Sequence, residues 1–213
     1  MPNGSEQASP ALRAAQAAEQ EVRDCLARRQ SFLLEAGAGA GKTYSLIQVL
    51  KTLLASEGQR LRRNGQQIAC ITYTNVATDV IVSRIDNDKL VFVGTIHMWC
   101  WNLIKSYQPT LRQLLPNIDK WKEILIEGGE LGELLVEYSH GYRKITDEAI
   151  MIHHDDVLTL TAELIALPKF QAILASKFPY LLIDEYQDTN AVIMEAIKNH
   201  LLPREQGPLV GLF

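Results

Sequence analysis

Short apolar runs alternate with amphipathic segments along most of this chain. Each run stops at a polar or glycine-containing segment, which is typical of a buried strand. Four strands are predicted, at residues 31–36, 67–73, 90–94 and 180–184. Helices are predicted before the first strand and after every strand, at residues 10–29, 43–55, 76–85, 96–106 and 191–201. Strands that alternate with helices predict an α/β fold, a parallel sheet with helices on both faces in three layers.

Residues 109–169 interrupt this alternation and have no convincing strand pattern. They are expected to form several short helices, and residues 123–163 carry ten acidic side chains against only Arg143 and Lys144. We therefore predict a helical insertion subdomain within one α/β domain. The expected organisation is a loose N-terminus, an α/β domain in two parts and the insertion, at residues 1–9, 10–108 with 170–213, and 109–169.

A polar segment at residues 57–66 follows the helix predicted at residues 43–55. It contains Arg60, Arg62 and Arg63. These arginines could touch nucleic acid, but a solvated loop is the commoner role for such a segment, and we predict a loop.

The composition is that of an ordinary globular domain, with 213 residues of which 47% are hydrophobic and 22% charged. The net charge of −4 provides no overall basic field that would attract nucleic acid. Cys25, Cys70 and Cys100 form no CxxC pair, which argues against a zinc ribbon and favours reduced thiols in a cytoplasmic protein. Because no apolar run approaches about 18 residues and no signal peptide is evident, no membrane contact is expected.

A glycine-rich loop between the first strand and its helix carries the strongest chemical signal. Its residues are Ala36, Gly37, Ala38, Gly39, Ala40, Gly41, Lys42 and Thr43. They fit the pattern GxxxxGK[ST], except that Ala36 stands at the first glycine position. Glycines let backbone N–H groups approach a phosphate, and the positive end of the following helix dipole adds to the attraction. Lys42 would reach the β- and γ-phosphates and Thr43 would ligate Mg²⁺, so the loop predicts a P-loop site for ATP.

Two carboxylates follow the strand predicted at residues 180–184. Asp184 ends the strand and Glu185 comes directly after it. Mg²⁺ keeps several waters and takes few carboxylates, so Asp184 would orient the ion through its water shell. Glu185 is placed to accept a proton from the attacking water. Together with the P-loop, this strand end predicts an ATPase site.

Four ordered motifs lie at residues 36–43, 71–75, 94–97 and 184–189. The second reads Ile-Thr-Tyr-Thr-Asn and is followed by Ala77 and Arg84, and the third reads Gly-Thr-Ile-His and is followed by Cys100. Two acidic residues and a leucine, Asp155, Asp156 and Leu158, precede the fourth motif. The order of these motifs and their residues resemble those of the N-terminal, first RecA-like ATP-binding domain of the UvrD/Rep-like superfamily 1 DNA helicases. Asp155, Asp156 and Leu158 are similar to the segment that ends that family's helical insertion.

The resemblance implies ATP and Mg²⁺ as cofactors and assigns roles at the nucleotide. Gln20 would hydrogen-bond the adenine edge, with Gln16 as its rival, and both could instead be exposed helix residues. Lys42, Thr43, Asp184 and Glu185 would act as already described. Gln187 would couple the γ-phosphate to the DNA path.

The resemblance also implies an enzyme of DNA repair that hydrolyses ATP and moves 3′ to 5′ on single-stranded DNA. The DNA-facing residues would be Thr72, Tyr73, Thr74, Asn75, Thr95 and His97. Tyr73 could instead be a core aromatic, and His97 a hydrogen-bonded packing residue. Met98, Trp99 and Trp101 are more often core residues than base-stacking ones, and Arg84 is expected on a helix surface.

Two further segments have structural explanations. Asp188 and Thr189 suit the cap of the next helix better than a catalytic role. The run His153-His-Asp-Asp156 resembles a metal cluster, but adjacent helical side chains point apart and no third ligand is evident. We interpret it as a helix start with acids near the positive dipole end.

An apolar run at residues 209–213 predicts a further strand where the family would begin its third motif. The later motifs, with the arginine finger, are not in this sequence, so the 213-residue chain is expected to be a fragment without helicase activity alone. A second hypothesis is an ATP- and DNA-sensing subunit of a defence or repair complex that gates a partner nuclease. An unrelated P-loop kinase or ATPase explains fewer of the motifs.

Overall fold

The computed structural model describes residues 10–35, 41–128, 131–139 and 141–213. The strands of its main sheet are β1 (Phe32–Leu33), β2 (Ile68–Thr72), β3 (Val91–Thr95), β7 (Tyr180–Ile183) and β8 (Leu209–Leu212). They pair in parallel in the order β1-β8-β7-β2-β3. Because all five run the same way, their carboxyl ends meet at one edge of the sheet. The predicted parallel α/β fold is confirmed.

Helices cover both faces of this sheet. The helices on one face are α1 (Pro10–Ala27), α2 (Lys42–Asn64) and α3 (Asn75–Arg84). Those on the other face include α4 (Ile96–Ile104), α7 (His154–Ile165) and α9 (Ala191–His200). In β2, Ile68 and Cys70 face the first group, whereas Ala69 and Ile71 face the second. This alternation is the period of two that a strand buried on both faces imposes.

The insertion contains a small sheet as well as helices. Its elements are α5 (Gln108–Leu114), a 3₁₀ turn (Leu115–Asn117), α6 (Asp119–Gly128), β4 (Leu135–Tyr138), β5 (Lys144–Ile145) and β6 (Ala149–Ile152), after which come α7 and α8 (Pro168–Lys177). The order in the small sheet is β4-β6-β5. The expectation that this region has no strands was therefore wrong. The strands have only two to four residues, too few to produce a periodic pattern, and they are stabilised by packing on the helices.

Helix α2 is longer than predicted and absorbs the segment expected to be a loop. It continues to Asn64, where Gly65 ends it with a φ of 63° in the left-handed region. Leu61 is fully buried, which anchors this last part of the helix in the core. Arg60 hydrogen-bonds Glu57 and the side-chain oxygen of Gln66, so the arginine is engaged within the domain.

The first strand is shorter and more exposed than predicted. Only Phe32 and Leu33 pair, at the edge of the sheet, and Leu33 is 48% exposed. The predicted strand at the end of the sequence is confirmed as β8. It lies between β1 and β7, so β8 separates the P-loop strand from the strand that carries Asp184.

Two apolar helices in succession end the insertion. Within the described ranges, no single helix is long and apolar enough to cross a bilayer, and α7 and α8 reach that threshold only as a pair bent by 103°. Leu160 and Leu164 of α7 and Phe170 and Leu174 of α8 are buried in the protein core.

Candidate nucleotide site and nucleic-acid interface

The carboxyl end of β7 and the start of α2 bring four polar side chains together. Lys42 begins α2 directly after Gly41, whose φ of 84° lies in the region that glycine favours. The Nζ atom of Lys42 lies 2.7 Å from Oε2 of Glu185. The Thr43 hydroxyl donates to Oδ2 of Asp184 at 3.5 Å. The structure thus joins two motifs that are 141 to 143 residues apart in sequence.

Some predicted nucleotide residues are not in this cluster. Ala36, Gly37, Ala38, Gly39 and Ala40 lie outside the described residues. Gln20 is exposed on α1, where its amide donates to Oδ1 of Asp24 at 2.9 Å. Gln16 is exposed on the same helix. An adenine contact by either glutamine stays a prediction.

Asp184 is a buried carboxylate with spare bonding capacity. It is only 2% exposed, and its Oδ1 atom has no hydrogen-bond partner among the described residues. Burial, and secondarily the negative charge of Glu185, raises the pKa of Asp184. A buried, unsatisfied carboxylate oxygen costs folding free energy unless a partner arrives. With the Thr43 hydroxyl beside it, this oxygen fits Mg²⁺, which binds oxygen ligands and needs few carboxylates.

Glu185 is held by neighbours on both sides. Its backbone φ of 50° is unusual for a residue with a side chain, and such conformations occur often at functional sites. Lys42 and the amide of Gln187 both donate to its Oε2 atom. The hydrogen bond from Lys42 is the main cause that lowers the pKa of Glu185. The carboxylate is therefore ionised at neutral pH, as a proton acceptor must be.

The raised pKa of Asp184 gives a stability prediction. Folding favours the protonated form of Asp184. The stability that this group contributes is therefore fully present below its ordinary pKa of 3.8, and it is lost as the pH rises through the raised pKa. At neutral pH, Asp184→Asn is expected to raise the melting temperature of the nucleotide-free chain. The same substitution should remove the extra stabilisation that Mg²⁺ with ATP provides, since the amide cannot replace the anion. Thermal melts with and without Mg·ATP measure both effects.

The exposed acid Asp79 on α3 provides the control for that experiment. Asp79→Asn should leave both melting temperatures nearly unchanged, because the charge of an exposed carboxylate contributes little to the free energy of unfolding. A nucleotide-free Asp184→Asn chain that melts below the wild type would contradict the proposed cost of burying this charge.

A second site is a cleft of about 840 Å³ between the main sheet and the insertion. The described residues that line it include five of the six predicted DNA contacts: Thr72, Tyr73, Asn75, Thr95 and His97. These five come from the carboxyl ends of β2 and β3 and from the starts of α3 and α4. The topology thus gathers two motifs into one concave surface, as parallel strands predict.

Two of the threonines have structural roles in addition. The hydroxyl of Thr74 accepts from the backbone N–H of Ala77 and caps α3. The hydroxyl of Thr95 accepts from the N–H of Met98 at 3.4 Å and caps α4. Thr74 does not line the cleft among its described residues. For Thr74 the capping contact explains the residue type without any ligand.

For the residues with open alternatives the structure shows how far each side chain is exposed, and their contacts with DNA stay predictions. Tyr73 is 63% exposed and is not a core residue. Trp99 is fully buried, as expected, whereas Met98 is 45% exposed and the expectation of a core methionine was wrong. His97 is partly buried and stacks on His154, with ring centroids 3.3 Å apart. Trp101 is partly buried and lines the cleft.

Sequence reasoning missed the contribution of the insertion to this cleft. Tyr138 of β4 and His154 of α7 both line it, and the Tyr138 hydroxyl is hydrogen-bonded to Nδ1 of His154 at 2.7 Å. Asn102 of α4 lines it as well. Tyr138 ends one short strand of a sheet that no periodicity revealed, so the sequence carried no signal for its position.

The helix start predicted at residues 153–156 is confirmed, but its chemistry is not that of a solvated surface. His153 caps α7, and Asp156 reaches back to the backbone N–H of His153 at 2.9 Å. Asp156 is 1% exposed and accepts two short hydrogen bonds of 2.8 Å from Arg143. The indole N–H of Trp121 donates to the same carboxylate at 3.0 Å. Asp156 therefore joins α6, α7 and the segment before β5.

Asp188 and Thr189 do not cap the following helix. The side chain of Asn190 caps α9 by accepting from the N–H of Val192 at 2.9 Å. The 3₁₀ turn Tyr186–Asp188 follows Glu185, and Asp188, Thr189 and Asn190 line the cleft. The predicted capping role of Asp188 and Thr189 was wrong because α9 begins at Ala191, so the residue in the capping position is Asn190.

Comparisons with known proteins agree with this arrangement. The family described as UvrD/REP helicase N-terminal domain matches residues 16–128 and 127–211. The Gabija protein GajB of Bacillus cereus (strain HuB5-5) is 35% identical over 163 residues, which cover 73% of this chain and 23% of that protein. The ATP-dependent DNA helicase Rep of Buchnera aphidicola is 26% identical over 224 residues, covering 84% of this chain and 33% of Rep.

The ATP-dependent DNA helicase UvrD1 of Mycobacterium tuberculosis is 24% identical over 211 residues, covering 75% of this chain and 27% of UvrD1. The chain thus spans between 23% and 33% of the length of these three relatives. The family match extends over most of the described sheet, the insertion and all four motifs. This chain belongs to the UvrD/REP helicase N-terminal domain family.

Proposed function

We propose that this chain is the ATP-binding domain of an ATP-dependent DNA helicase or translocase. The observation that supports this best is the cluster of Lys42, Thr43, Asp184 and Glu185 at the sheet edge that also borders the cleft. An ATP site beside a nucleic-acid cleft is what an enzyme needs to couple hydrolysis to movement. Movement 3′ to 5′ on single-stranded DNA is part of the proposal and rests on the family resemblance.

The residues at the nucleotide divide the work between binding and proton transfer. Lys42 would hold the β- and γ-phosphates, while Thr43 and Asp184 would hold Mg²⁺, which neutralises charge on the phosphates. Glu185, kept ionised by Lys42, would accept the proton of the attacking water. Gln187 donates a hydrogen bond to Glu185 and would couple the γ-phosphate to the DNA path in the cleft.

The proposed nucleic-acid site is the cleft itself. Tyr73 presents an exposed ring, and the amide of Asn75 and the hydroxyl of Thr95 are available at the strand ends for phosphate or sugar contacts. A single strand fits better than a duplex, because its bases can turn toward aromatic side chains.

Two binding measurements and one activity measurement test the proposal. A fluorescent ATP analogue with Mg²⁺ and a labelled single-stranded oligonucleotide should each bind the 213-residue chain. We expect no strand displacement by this chain, because an arginine finger is worth about 10³–10⁵ in turnover and this sequence carries none of the later motifs. Failure to bind ATP would overturn the nucleotide assignment, and unwinding at the rate of a complete helicase would overturn the expected inactivity.

The charge of the cleft predicts a weak dependence of DNA affinity on salt. Among its described residues the lining includes Asp155 and Asp188 but no lysine or arginine. Each phosphate that a cation neutralises contributes about −0.7 to the slope of log K against log salt for a single strand. We expect a slope between 0 and about −2 from anisotropy titrations at several salt concentrations. A slope near −3, which needs about four neutralised phosphates, would contradict binding in this cleft.

Gating of a partner nuclease within a defence or repair complex is the alternative proposal. It uses the same ATP and DNA sites, but ATP hydrolysis would control the nuclease instead of driving movement along DNA. Adding ATP and DNA to the chain together with a candidate nuclease would distinguish the two proposals. Nuclease activity that changes with Glu185→Gln, without strand displacement, would favour gating.

A further inference from the structure

The edge of the main sheet opposite the cleft is rich in basic side chains. Because the five strands are parallel, their amino ends, and the helix ends that lead into them, lie at this edge. Four segments at this edge, residues 28–31, 62–67, 88–90 and 176–180, carry six lysines and arginines against one acid, Asp88. The whole chain has a net charge of −4, so positive charge is concentrated at this basic edge.

Most of these cations are available to a ligand. Five of the six are exposed and, among the described residues, form no ion pair with a carboxylate. They are Arg29, Arg62, Arg63, Lys89 and Lys177. Arg62 and Arg63 lie in the last turn of α2, where the helix dipole places only about half a negative charge, so most of their charge stays uncompensated.

Local contacts join the segments of the basic edge into one surface. The side-chain amide of Gln67 donates to the backbone oxygen of Lys89 at 2.8 Å, and its backbone N–H donates to the oxygen of Lys177 at 3.0 Å. On the β1 side, the guanidinium of Arg29 lies 5.8 Å from the ring centroid of Tyr180, which is buried. The cations are therefore presented by segments that are tied to one another and to the sheet.

The width of the basic edge suits a nucleic-acid duplex. Arg29 precedes β1 and Lys89 precedes β3, and these strands are four strand spacings, or about 19 Å, apart. A duplex carries one phosphate charge per about 1.7 Å of its axis, or about 11 charges over that distance, so each of the five cations can reach a phosphate. Arginine guanidinium groups bind phosphate in a bidentate geometry, and three of the five cations are arginines.

Two other kinds of ligand fit this surface less well. A single strand gains affinity from bases that stack on exposed aromatic rings, but Phe178 and Tyr180 at this edge are buried. A protein partner is usually anchored by large side chains at the centre of the interface. The four segments of the basic edge expose no large apolar side chain that could provide such an anchor.

We propose that the basic edge binds the phosphate backbone of a nucleic-acid duplex without reading its sequence, through Arg29, Arg62, Arg63, Lys89 and Lys177. This surface lies at the opposite end of the strands from the cleft, and its ligand is held by cations instead of strand-end hydroxyls and amides. The inference therefore goes beyond the proposed function. One chain can then hold a duplex and a single strand at the same time.

The salt dependence of duplex binding tests this proposal. Each phosphate that a cation neutralises contributes about −0.9 to the slope of log K against log salt for a duplex, so three to five contacts give a slope between about −2.7 and −4.5. Anisotropy titrations of a fluorescent, blunt-ended DNA duplex at several salt concentrations measure this slope. A single-stranded oligothymidine should keep the slope of 0 to about −2 expected for the cleft. No duplex binding, or a duplex slope shallower than about −2, would overturn the proposal.

Neutralising two arginines locates the duplex on the surface. Arg62→Gln combined with Arg63→Gln should make the duplex slope less steep by about 1.8 and lower duplex affinity in about 50 mM salt by at least about 10-fold. Both side chains are exposed, so the fold should be kept, and binding of oligothymidine and of an ATP analogue should stay as in the wild type.

Two exposed lysines of the insertion provide the matched control. Lys120→Gln combined with Lys122→Gln changes the net charge by the same amount, and both lysines are paired with acids near them, Asp155 and Asp119. This double variant should bind the duplex nearly as the wild type does. An equal loss of duplex affinity in the two double variants would show that net charge alone matters and would overturn the assigned surface.

Two competitors distinguish the sites and the ligand classes. Unlabelled oligothymidine should leave the labelled duplex bound, and displacement of the duplex would mean that both ligands share one site, against the proposal. Polyglutamate that binds the wild type but not the arginine double variant, with no duplex binding, would assign the edge to an acidic protein and overturn the inference. Duplex binding as expected without binding of oligothymidine or the ATP analogue would support this inference and contradict the proposed function instead.

Discussion

Replacing Lys42 by methionine is expected to weaken Mg·ATP binding by about 10- to 150-fold. A hydrogen bond between an ionised donor and a charged acceptor contributes about 1.5–3 kcal/mol, and methionine keeps the length of the stem without the charge. The Lys42 side chain is 13% exposed, so solvent screens its interaction with a phosphate only in part. Its pKa is raised, mainly by the hydrogen bond to Glu185, so the ammonium is charged throughout the neutral range. Titration with a fluorescent ATP analogue measures the effect.

The same helix provides a matched control for this variant. Lys51 lies nine residues further along α2 and is exposed. Lys51→Met changes the net charge by the same amount, so any general electrostatic effect on ATP affinity should appear in both variants. An affinity in Lys42→Met that equals that in Lys51→Met would show that Lys42 does not touch the nucleotide.

Replacing Asp156 by alanine is expected to lower the free energy of unfolding by about 3–5 kcal/mol, as removal of one partner of a buried ion pair does. The substitution leaves the guanidinium of Arg143, which is 15% exposed, without its carboxylate. It also leaves the indole N–H of Trp121 and the backbone N–H of His153 without their acceptor. For a domain of this size each kcal/mol lowers the melting temperature by roughly 2–4 °C, so a thermal melt reports the loss as about 10 °C.

Asp155 is the natural control, since it precedes Asp156 directly. Its side chain is 59% exposed and its ion pairs with Lys120 and Arg143 have N–O distances of 3.7 and 3.9 Å. Such exposed pairs contribute about 1 kcal/mol or less, so Asp155→Ala should melt close to the wild type. Similar losses from Asp155→Ala and Asp156→Ala would mean that the buried network does not stabilise the insertion.

Periodicity and motif spacing predicted the parts of this molecule that depend on strand ends. Glu185 and Lys42 meet because parallel strands place their carboxyl ends at one edge, and this follows from the order of elements alone. Thr72 and Thr95 lie side by side on neighbouring strands for the same reason. Local sequence patterns were sufficient to predict the position of a residue wherever that residue lies at the end of a regular strand or the start of a regular helix.

The insertion could not be predicted in the same way. Asp156 has the sequence context of an exposed helix start, and its burial depends on tertiary contacts with Arg143 and Trp121 that the sequence does not reveal. The strands β4 and β5 are too short for a periodic signal, so Tyr138 could not be assigned to the cleft. The sequence prediction ended helix α2 too early. The charged residues around Leu61 obscured the apolar face of the helix, which this leucine continues.

The 3₁₀ turn Tyr186–Asp188 connects Glu185 to the residues that line the cleft. At a rise of about 2 Å per residue, it spans only about 6 Å between Glu185 and the residues that line the cleft. Asp188 is close enough to Lys42 for its charge to help raise the pKa of that lysine. Under the proposed function, a displacement of Glu185 is expected to reach the cleft through this short turn, which would link the binding of ATP and of the strand thermodynamically. If the bound strand changes the affinity for ATP by some factor, bound ATP must change the affinity for the strand by the same factor.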